Sequence, residues 1–153
     1  MSARLLRFPT VRDPTGNLTP FEWRDIPFRP RRVFVLHDVV EGARRGGHAH
    51  HRLHELIIAV SGSFDVSTRD EHGWHRWHLN RADSGLYVPP NVWRYLSNFA
   101  GNSVALVLAS TPYSRRDYIR DMDEFLATLP EPEESYFERR ARAASLEELQ
   151  RTT

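Results

Sequence analysis

Short runs of alternating or apolar residues, separated by turn-forming residues, occupy most of this 153-residue chain. From Arg4 to Leu108, glycine, proline, asparagine and aspartate interrupt these runs at intervals of about 8–12 residues, a spacing typical of β-sandwiches and barrels. The sequence therefore predicts an all-β domain without a long helix. The candidate strands are 31–38, 47–51, 55–61, 64–69, 74–79, 85–88, 92–99 and 104–109.

A helical pattern follows Pro112. In SRRDYIRDMDEFLATL, Tyr118, Met122, Phe125 and Leu126 recur at helical offsets, so we predict a short helix packed on the β domain. The next segment is charged and has few large apolar residues, which is typical of an exposed helix or a disordered tail. We therefore divide the chain into a barrel domain, 1–128, and a charged C-terminal tail or helix, 129–153.

The composition excludes several kinds of chemistry. All 21 basic residues are arginines, so a Schiff-base lysine and a Walker-type phosphate lysine are both excluded. The chain has no cysteine, which excludes disulfides, thiolate metal sites and thiol nucleophiles. A net charge of +1 gives no support to a nucleic-acid or membrane-surface partner. We expect a soluble, cytoplasmic protein, because no signal-peptide core or membrane-spanning run is present.

The eight histidines are confined to residues 37–78. Their densest stretch, 42–62, has the pattern G-x5-H-x-H-x4-E-x6-G and contains His48, His50 and Glu55. Positions two apart in a strand share a face, so His48 and His50 should point the same way, with Glu55 beside them from the next strand. Two imidazoles and a carboxylate that converge can bind a metal or transfer protons.

This stretch matches the first motif of the cupin superfamily in full, and the second motif is present in altered form. The second motif, P-x-G-x-x-H-x-x-x-N, corresponds to residues 89–98, with Asn91 at the glycine and Arg94 at the histidine. The resemblance implies a jelly-roll barrel, also called a double-stranded β-helix. Arg94 removes the fourth usual metal ligand and places a permanent cation there, which disfavours a divalent metal.

A closer resemblance is to the sugar 3,4-ketoisomerases. It is carried, between residues 26 and 125, by IPFRPRRVFVLHDV, RRGGHAHHRLHELIIAVSGSFDV, SGLYVPPNVWRYLSNF, VALVLASTPY and RDYIRDMDEF. The resemblance implies a cofactor-independent, metal-free isomerase of deoxysugar biosynthesis and a homodimer with exchanged N-terminal strands. Its substrate would be dTDP-4-keto-6-deoxyglucose, whose keto group moves from carbon 4 to carbon 3 through an enediol.

The chain departs from this family at three places. The family usually has glutamine where Glu55 stands and histidine where Arg94 stands. It also has a tyrosine in the strand that corresponds to 31–38, whereas the group here that titrates near neutral pH is His37. These departures affect the catalytic details more than the fold.

The resemblance also implies roles for the clustered residues. His48 would be the proton-transferring base, and His50 would be its partner or the donor to the sugar oxygens. Glu55, if ionised, would orient an imidazole and raise its pKa. His37 would support them from the strand in which the family has its tyrosine.

Arginine must bind the diphosphate of a nucleotide sugar in a chain without lysine. The candidates are Arg45, which belongs to the family's R-G-x-H-A-H segment, and Arg94. Trp93 and Tyr87 would stack on thymine or line the sugar pocket, with packing in the core as the alternative.

The sequence is also compatible with two other functions. A metal-dependent cupin would use His48, His50 and Glu55 as a two-histidine, one-carboxylate triad. A non-catalytic sugar-nucleotide-binding cupin would explain the missing tyrosine. An isomerase or epimerase of another keto sugar is a variant of the first hypothesis.

Overall fold

Two antiparallel five-stranded sheets dominate the computed structural model, which describes residues 1–130. Sheet I has the order β1-β9-β6-β11-β4, sheet II has the order β12-β5-β10-β7-β8, and β2 and β3 form a separate hairpin. The elements are β1 Arg4–Arg7, β2 Val11–Asp13, β3 Gly16–Leu18, β4 Arg32–Leu36, β5 Arg45–His50, β6 Glu55–Ser61, β7 Phe64–Asp70, β8 Gly73–Leu79, β9 Ser84–Val88, β10 Trp93–Ser97, β11 Val104–Ala109, β12 Tyr118–Ile119 and α1 Met122–Ala127.

The inner faces of the two sheets form the main core. Strand alternation directs Ile57 and Leu86 inward from sheet I, and Phe64 and Val66 inward from sheet II. All four side chains are fully buried, and each such burial is worth roughly 1.5–3 kcal/mol. The all-β prediction is confirmed, and the two packed sheets are the arrangement expected of a jelly roll.

Each sheet is also covered on its outer face. The N-terminal segment places Phe8 and Ile26 against the outer side of sheet I. On sheet II, the first α-helical turn after β12 places Phe125 against Trp93 and Ile119. This outer packing holds β12 next to β5, the strand that carries the paired histidines.

The C-terminal helix is shorter than the sequence predicts. The prediction was wrong at Tyr118, which lies in β12 and pairs with His50 after a 3-10 turn at Arg115–Asp117. The helix begins at Met122, because the Asp121 side chain accepts a hydrogen bond from the backbone N–H of Glu124 and caps it. Pairing with β5 therefore outweighs the helical spacing upstream of Asp121.

The eight candidate strands are all present, with boundaries that differ by up to two residues. Strands β1 to β3 and β12 were not among them. Strands β1 and β12 pair with strands distant in sequence, and β2 and β3 have only three residues each. The predicted tail, apart from residues 129 and 130, lies outside the described residues. Across residues 1–130, no helix has the length and apolar character that a membrane crossing requires.

Candidate functional site

Four buried polar side chains meet between the two sheets. His48 and His50 project inward from β5, Arg94 projects inward from β10, and Glu55 faces them from β6 of the opposite sheet. Strand register explains the meeting, because Arg94 lies directly opposite His48. The ring centroids of the two histidines are 4.8 Å apart, as expected for residues that share a face.

Glu55 and Arg94 form a buried, bidentate ion pair. The Arg94 Nε donates to Glu55 Oε2 and its Nη2 donates to Oε1, each at 2.8 Å. Their side chains are only 2% and 7% exposed. The two residues are also two of the three departures from the family pattern, so the departures compensate each other: the cation at 94 is neutralised by the carboxylate at 55.

The lack of a side chain at Gly46 makes room for the guanidinium of Arg94. Gly46 has φ +95°, and a Cβ there would lie 2.6 Å from Arg94 Nη1. Strand β5 has one more residue than β10 between the pairs His48–Arg94 and Arg45–Leu96, which is a β-bulge. Glycine is therefore needed at 46 both for the backbone conformation and for the space.

The proton of neutral His48 is placed by a backbone contact. Its Nδ1 lies 2.9 Å from the carbonyl oxygen of Gly46. Because a carbonyl only accepts, Nδ1 carries the hydrogen and Nε2 keeps its lone pair. Nε2 is buried and has no hydrogen-bond partner among the described residues. Burial, and then the charge of Arg94, lower the pKa of His48 to about 2, so this imidazole is neutral near pH 7.

His50 lies between two carboxylates. Its Nε2 is 3.9 Å from Glu55 Oε1, and its Nδ1 is 3.4 Å from Asp117 Oδ2. Burial lowers the pKa of His50 to about 4; Glu55 and Asp117 act to raise it, whereas Arg94 and Arg32 act to lower it. His50 is therefore also neutral near pH 7, but it is the more basic of the two imidazoles.

An aromatic side chain from β12 packs against both histidines. The half-buried Tyr118 has its ring centroid 4.7 Å from that of His48 and 4.3 Å from that of His50. The Arg120 guanidinium lies 4.3 Å from the Tyr118 ring, and the Tyr113 ring lies 5.7 Å from it. Tyr118 thus forms a wall of the site, with an exposed cation and a second aromatic ring next to it.

Arg32 approaches the same region from sheet I. It is opposite Ala109, which is opposite Glu55, so the three share a row on the inner face. Its guanidinium lies 5.2 Å from the Phe34 ring and 5.7 Å from the Tyr113 ring. Its Nε is buried without a hydrogen-bond partner within residues 1–130.

Sequence reasoning gave no role to Arg32, Asp117, Tyr118 or Arg120. Three of them lie in RDYIRDMDEF, which contributed to the resemblance but was interpreted as a helix. Strand alternation carried no signal for them. Asp117 and His50, for example, are 67 positions apart in the chain, and only the pairing of β12 with β5 brings them together. Arg32 is one of many arginines, and nothing local distinguishes it.

The two aromatic residues that were predicted to contact the substrate lie outside the buried cluster. Trp93 has the opposite parity to Arg94, so it points out of the sandwich and packs 5.7 Å from the Phe125 ring. Tyr87 lies on the outer face of sheet I, where its hydroxyl is 2.7 Å from His54 Nδ1. For both residues, the structure corresponds to the alternative of core packing.

His37 and Arg45 also lie outside the buried cluster. His37 follows the end of β4, is exposed, and has its Nδ1 2.6 Å from Asp38 Oδ2. It is five positions from Arg32, so strand alternation gives it the opposite parity, that of the exposed Val33 and Val35. Arg45 is exposed at the start of β5.

The metal-ligand alternative does not fit this geometry. Both oxygens of Glu55 accept hydrogen bonds from Arg94, so the carboxylate is not free to join His48 and His50 as a ligand. In the part of the chain that is described, no three histidine, aspartate or glutamate side chains are grouped as a metal site.

Comparisons with known proteins agree with this architecture. Residues 1–129 match the family model FdtA: WxcM-like, C-terminal. The chain is 34% identical over 126 residues to TDP-4-oxo-6-deoxy-alpha-D-glucose-3,4-oxoisomerase of Aneurinibacillus thermoaerophilus, covering 82% of this chain and 91% of that one.

Solved structures are also similar. QdtA, a sugar 3,4-ketoisomerase from Thermoanaerobacterium thermosaccharolyticum in complex with TDP, has a TM-score of 0.80 and 36% identity, covering 82% of this chain and 93% of that chain. WlaRB, a TDP-quinovose 3,4-ketoisomerase from Campylobacter jejuni, has a TM-score of 0.78 and 38% identity, covering 82% and 98%. The cupin expectation for the fold is confirmed by these neighbours.

The buried histidines predict an acid-sensitive fold. The pKa of His50 is about 4 in the folded protein, below the ordinary value of about 6.5, so the unfolded chain binds more protons between these values. Stability should therefore fall as pH decreases through this window. We expect His50→Asn to lose several degrees less in Tm than the unsubstituted protein between pH 7.5 and pH 5.

The matched control is His51→Asn, which replaces the adjacent, exposed histidine. It should keep the pH dependence of the unsubstituted protein. The Tm of all three proteins is measured at each pH by thermal unfolding, followed by circular dichroism. Equal losses of Tm for His50→Asn and the unsubstituted protein would contradict a buried, neutral His50.

Proposed function

The chain belongs to the family FdtA: WxcM-like, C-terminal, and from this membership we propose that it is a TDP-sugar 3,4-ketoisomerase of deoxysugar biosynthesis. Its substrate is TDP-4-keto-6-deoxyglucose, and its product is the 3-keto sugar. The observation that carries the proposal is the pair of buried, neutral histidines with 4.8 Å between their ring centroids. A neutral imidazole can accept a proton and return it.

The reaction requires two proton transfers at carbon. A base removes the proton from carbon 3, and the keto oxygen at carbon 4 gains a proton, giving a 3,4-enediol. The hydroxyl at carbon 3 then loses its proton while carbon 4 gains one, which leaves the keto group at carbon 3. The oxidation at one carbon balances the reduction at the other, so no external oxidant or reductant is consumed.

His48 is the base for the carbon-bound proton in this scheme. Its hydrogen is held on Nδ1 by the carbonyl of Gly46, so the buried Nε2 lone pair is available to the sugar. His50, with two carboxylates beside it, is better placed to hold a proton and exchange it with the sugar oxygens. This base catalysis contributes roughly 10²–10⁴-fold, and positioning supplies the remainder.

The diphosphate requires cations other than Arg94. Arg94 is buried and donates two hydrogen bonds to Glu55, so its role is to fix the inner end of the site. We assign the diphosphate instead to Arg32 and Arg120, which flank the histidines, with the exposed Arg45 as a further contact. Tyr113, exposed next to them, offers a face for the thymine ring.

The similar structures support the substrate assignment. QdtA has been solved in complex with TDP, and a histidine-to-asparagine variant of QdtA has been solved with TDP-4-keto-6-deoxyglucose. The superposition with that variant has a TM-score of 0.80 and covers 82% of this chain and 92% of the variant's chain. A histidine of that enzyme can therefore be replaced while the 4-keto sugar binds.

We expect deuterium from heavy water to appear on carbon in the 3-keto product formed from TDP-4-keto-6-deoxyglucose. Nuclear magnetic resonance and mass spectrometry measure the label and the product. His48→Asn and His50→Asn should each reduce turnover by about 10²–10⁴-fold, because each loses a proton-transferring group.

His51→Asn is again the control, since its exposed side chain lies outside the cluster, and it should turn over normally. Full activity in His48→Asn would overturn the assigned base. Binding of the substrate without product or label in the unsubstituted protein would instead favour the non-catalytic sugar-nucleotide-binding alternative.

We also propose a homodimer with exchanged N-terminal strands. Exposed apolar side chains on sheet I support an interface, since Val33 and Val35 of the edge strand β4 are 56% and 48% exposed. Strand β1 forms the other edge of the sheet and pairs with β9 of its own chain, with Arg7 opposite Ser84. Exchange would make the same pairing with β9 of a second copy. The cytoplasmic location stays a prediction.

A disulfide test distinguishes exchanged strands from strands paired within one chain, because the protein has no cysteine. We expect the double variant Arg7→Cys, Ser84→Cys to give a covalent dimer on a non-reducing gel after oxidation. Light scattering of the unsubstituted protein should give twice 17.8 kDa. A dimeric mass with only an internal crosslink would contradict exchange, and a monomeric mass would contradict the dimer.

A further inference from the structure

Asp117 is held in place by hydrogen bonds from backbone N–H groups. It is the last residue of the 3-10 turn at Arg115–Asp117 and is 9% exposed. Its Oδ1 accepts a hydrogen bond from the backbone N–H of Arg52 at 3.0 Å, and its Oδ2 accepts one from Leu53 at 3.1 Å. Its carbonyl accepts a third bond, from the N–H of His51, at 2.9 Å. The carboxylate is thus attached rigidly to the chain that follows β5.

The same carboxylate faces the imidazole of His50. Pairing of Tyr118 with His50 brings Asp117 to the end of β5, where its Oδ2 is 3.4 Å from His50 Nδ1. His50 Nδ1 makes no hydrogen bond among the described residues. Because an ionised carboxylate only accepts hydrogen bonds, the position of Asp117 still favours the tautomer of His50 with its hydrogen on Nδ1. The Nε2 lone pair then points towards the interior of the site. Catalytic contacts that are long in a ligand-free site commonly shorten when substrate binds.

Glu55, which the sequence favoured for this task, is not free to perform it. Its two oxygens are bonded to Arg94, and its nearer oxygen is 3.9 Å from His50 Nε2. Asp117 has no arginine or lysine in such a pair among the described residues; its hydrogen bonds come from backbone N–H groups. Both carboxylates act to raise the pKa of His50, Glu55 more strongly than Asp117. Asp117 is nonetheless the nearer of the two and the one without a cationic partner within residues 1–130, so it is the carboxylate that can orient the imidazole.

We propose that Asp117 is the positioning residue that orients His50 and sets its tautomer for proton transfer in the ketoisomerase reaction. The proposal rests on the proposed function for its catalytic consequence, but the contact itself can be measured without turnover. The arrangement is that of a histidine supported by a carboxylate, in which the carboxylate does not itself exchange protons with the substrate.

The charges that face His50 determine whether its pKa rises or falls when Asp117 loses its charge. Removal of the charge of Asp117 leaves the lowering effects of burial and the arginines less opposed, so the pKa of His50 should fall. The titratable and charged groups around it are His48 on β5, Glu55 on β6, Arg94 on β10, Arg32 on β4, Asp117 in the turn before β12, and Tyr118 on β12.

The test compares Asp117→Asn with Asp123→Asn, an exposed aspartate in α1. Long-range ¹H–¹⁵N spectra of the imidazoles, assigned with His50→Asn, report the tautomer. We expect hydrogen on Nδ1 of His50 in the unsubstituted protein and in Asp123→Asn, and a reduced population of this tautomer in Asp117→Asn. Hydrogen on Nε2 of His50 in the unsubstituted protein would overturn the proposal without any variant.

Kinetics then test the catalytic consequence. Asp117→Asn should lower kcat by about 10- to 100-fold, the range seen for the partners that orient metal-binding histidines, with little change in KM. The acidic limb of its kcat/KM profile should move to lower pH. In the His50→Asn background, Asp117→Asn should cost no further activity, whereas a merely structural role would add its own loss.

The experiments distinguish failure of the proposed function from failure of the positioning role of Asp117. An inactive unsubstituted protein with the expected His50 tautomer would refute the proposed function and leave the Asp117–His50 contact established. An active enzyme in which Asp117→Asn changes neither tautomer nor kcat would refute the positioning role alone.

Discussion

The buried ion pair between Glu55 and Arg94 is the interaction on which the site depends. It joins the two sheets at the inner end of the site and satisfies two charges that would otherwise be isolated from water. Removing one partner of such a pair typically costs about 3–5 kcal/mol, because the other is left buried and uncompensated. The position of Arg94 in the pair explains why residue 46 must be glycine, since a Cβ there would lie 2.6 Å from Arg94 Nη1. Its hydrogen bonds to Glu55 also hold Arg94 away from a role in phosphate binding.

The pair further determines the charge that the histidines experience. Burial and the guanidinium of Arg94 keep His48 neutral, while the carboxylates near His50 partly oppose those effects. Two imidazoles on one strand therefore differ in basicity without a metal between them. Such a difference suits a reaction in which protons move both at carbon and at oxygen, because the less basic imidazole stays free to accept the proton from carbon while the more basic one holds a proton for oxygen.

Local patterns predicted more of the fold than of the site. Alternation identified β4 to β11, and the two-residue spacing correctly placed His48 and His50 on one face. The same alternation could have shown that Trp93 faces away from Arg94, although a motif match alone did not. Asp117 could not be found in this way, because only the pairing of β12 with β5 brings it to His50.

The most direct measurement is a crystal structure of the protein with TDP-4-keto-6-deoxyglucose, obtained with His50→Asn to slow turnover. We expect His48 Nε2 to lie within about 3–3.5 Å of carbon 3 or carbon 4 of the sugar, the range for reacting atoms. The Glu55–Arg94 pair should remain intact, and the diphosphate should contact Arg32 or Arg120. A sugar bound with His48 remote from both carbons, or with Arg94 released from Glu55 to bind the diphosphate, would contradict the proposed roles of these residues.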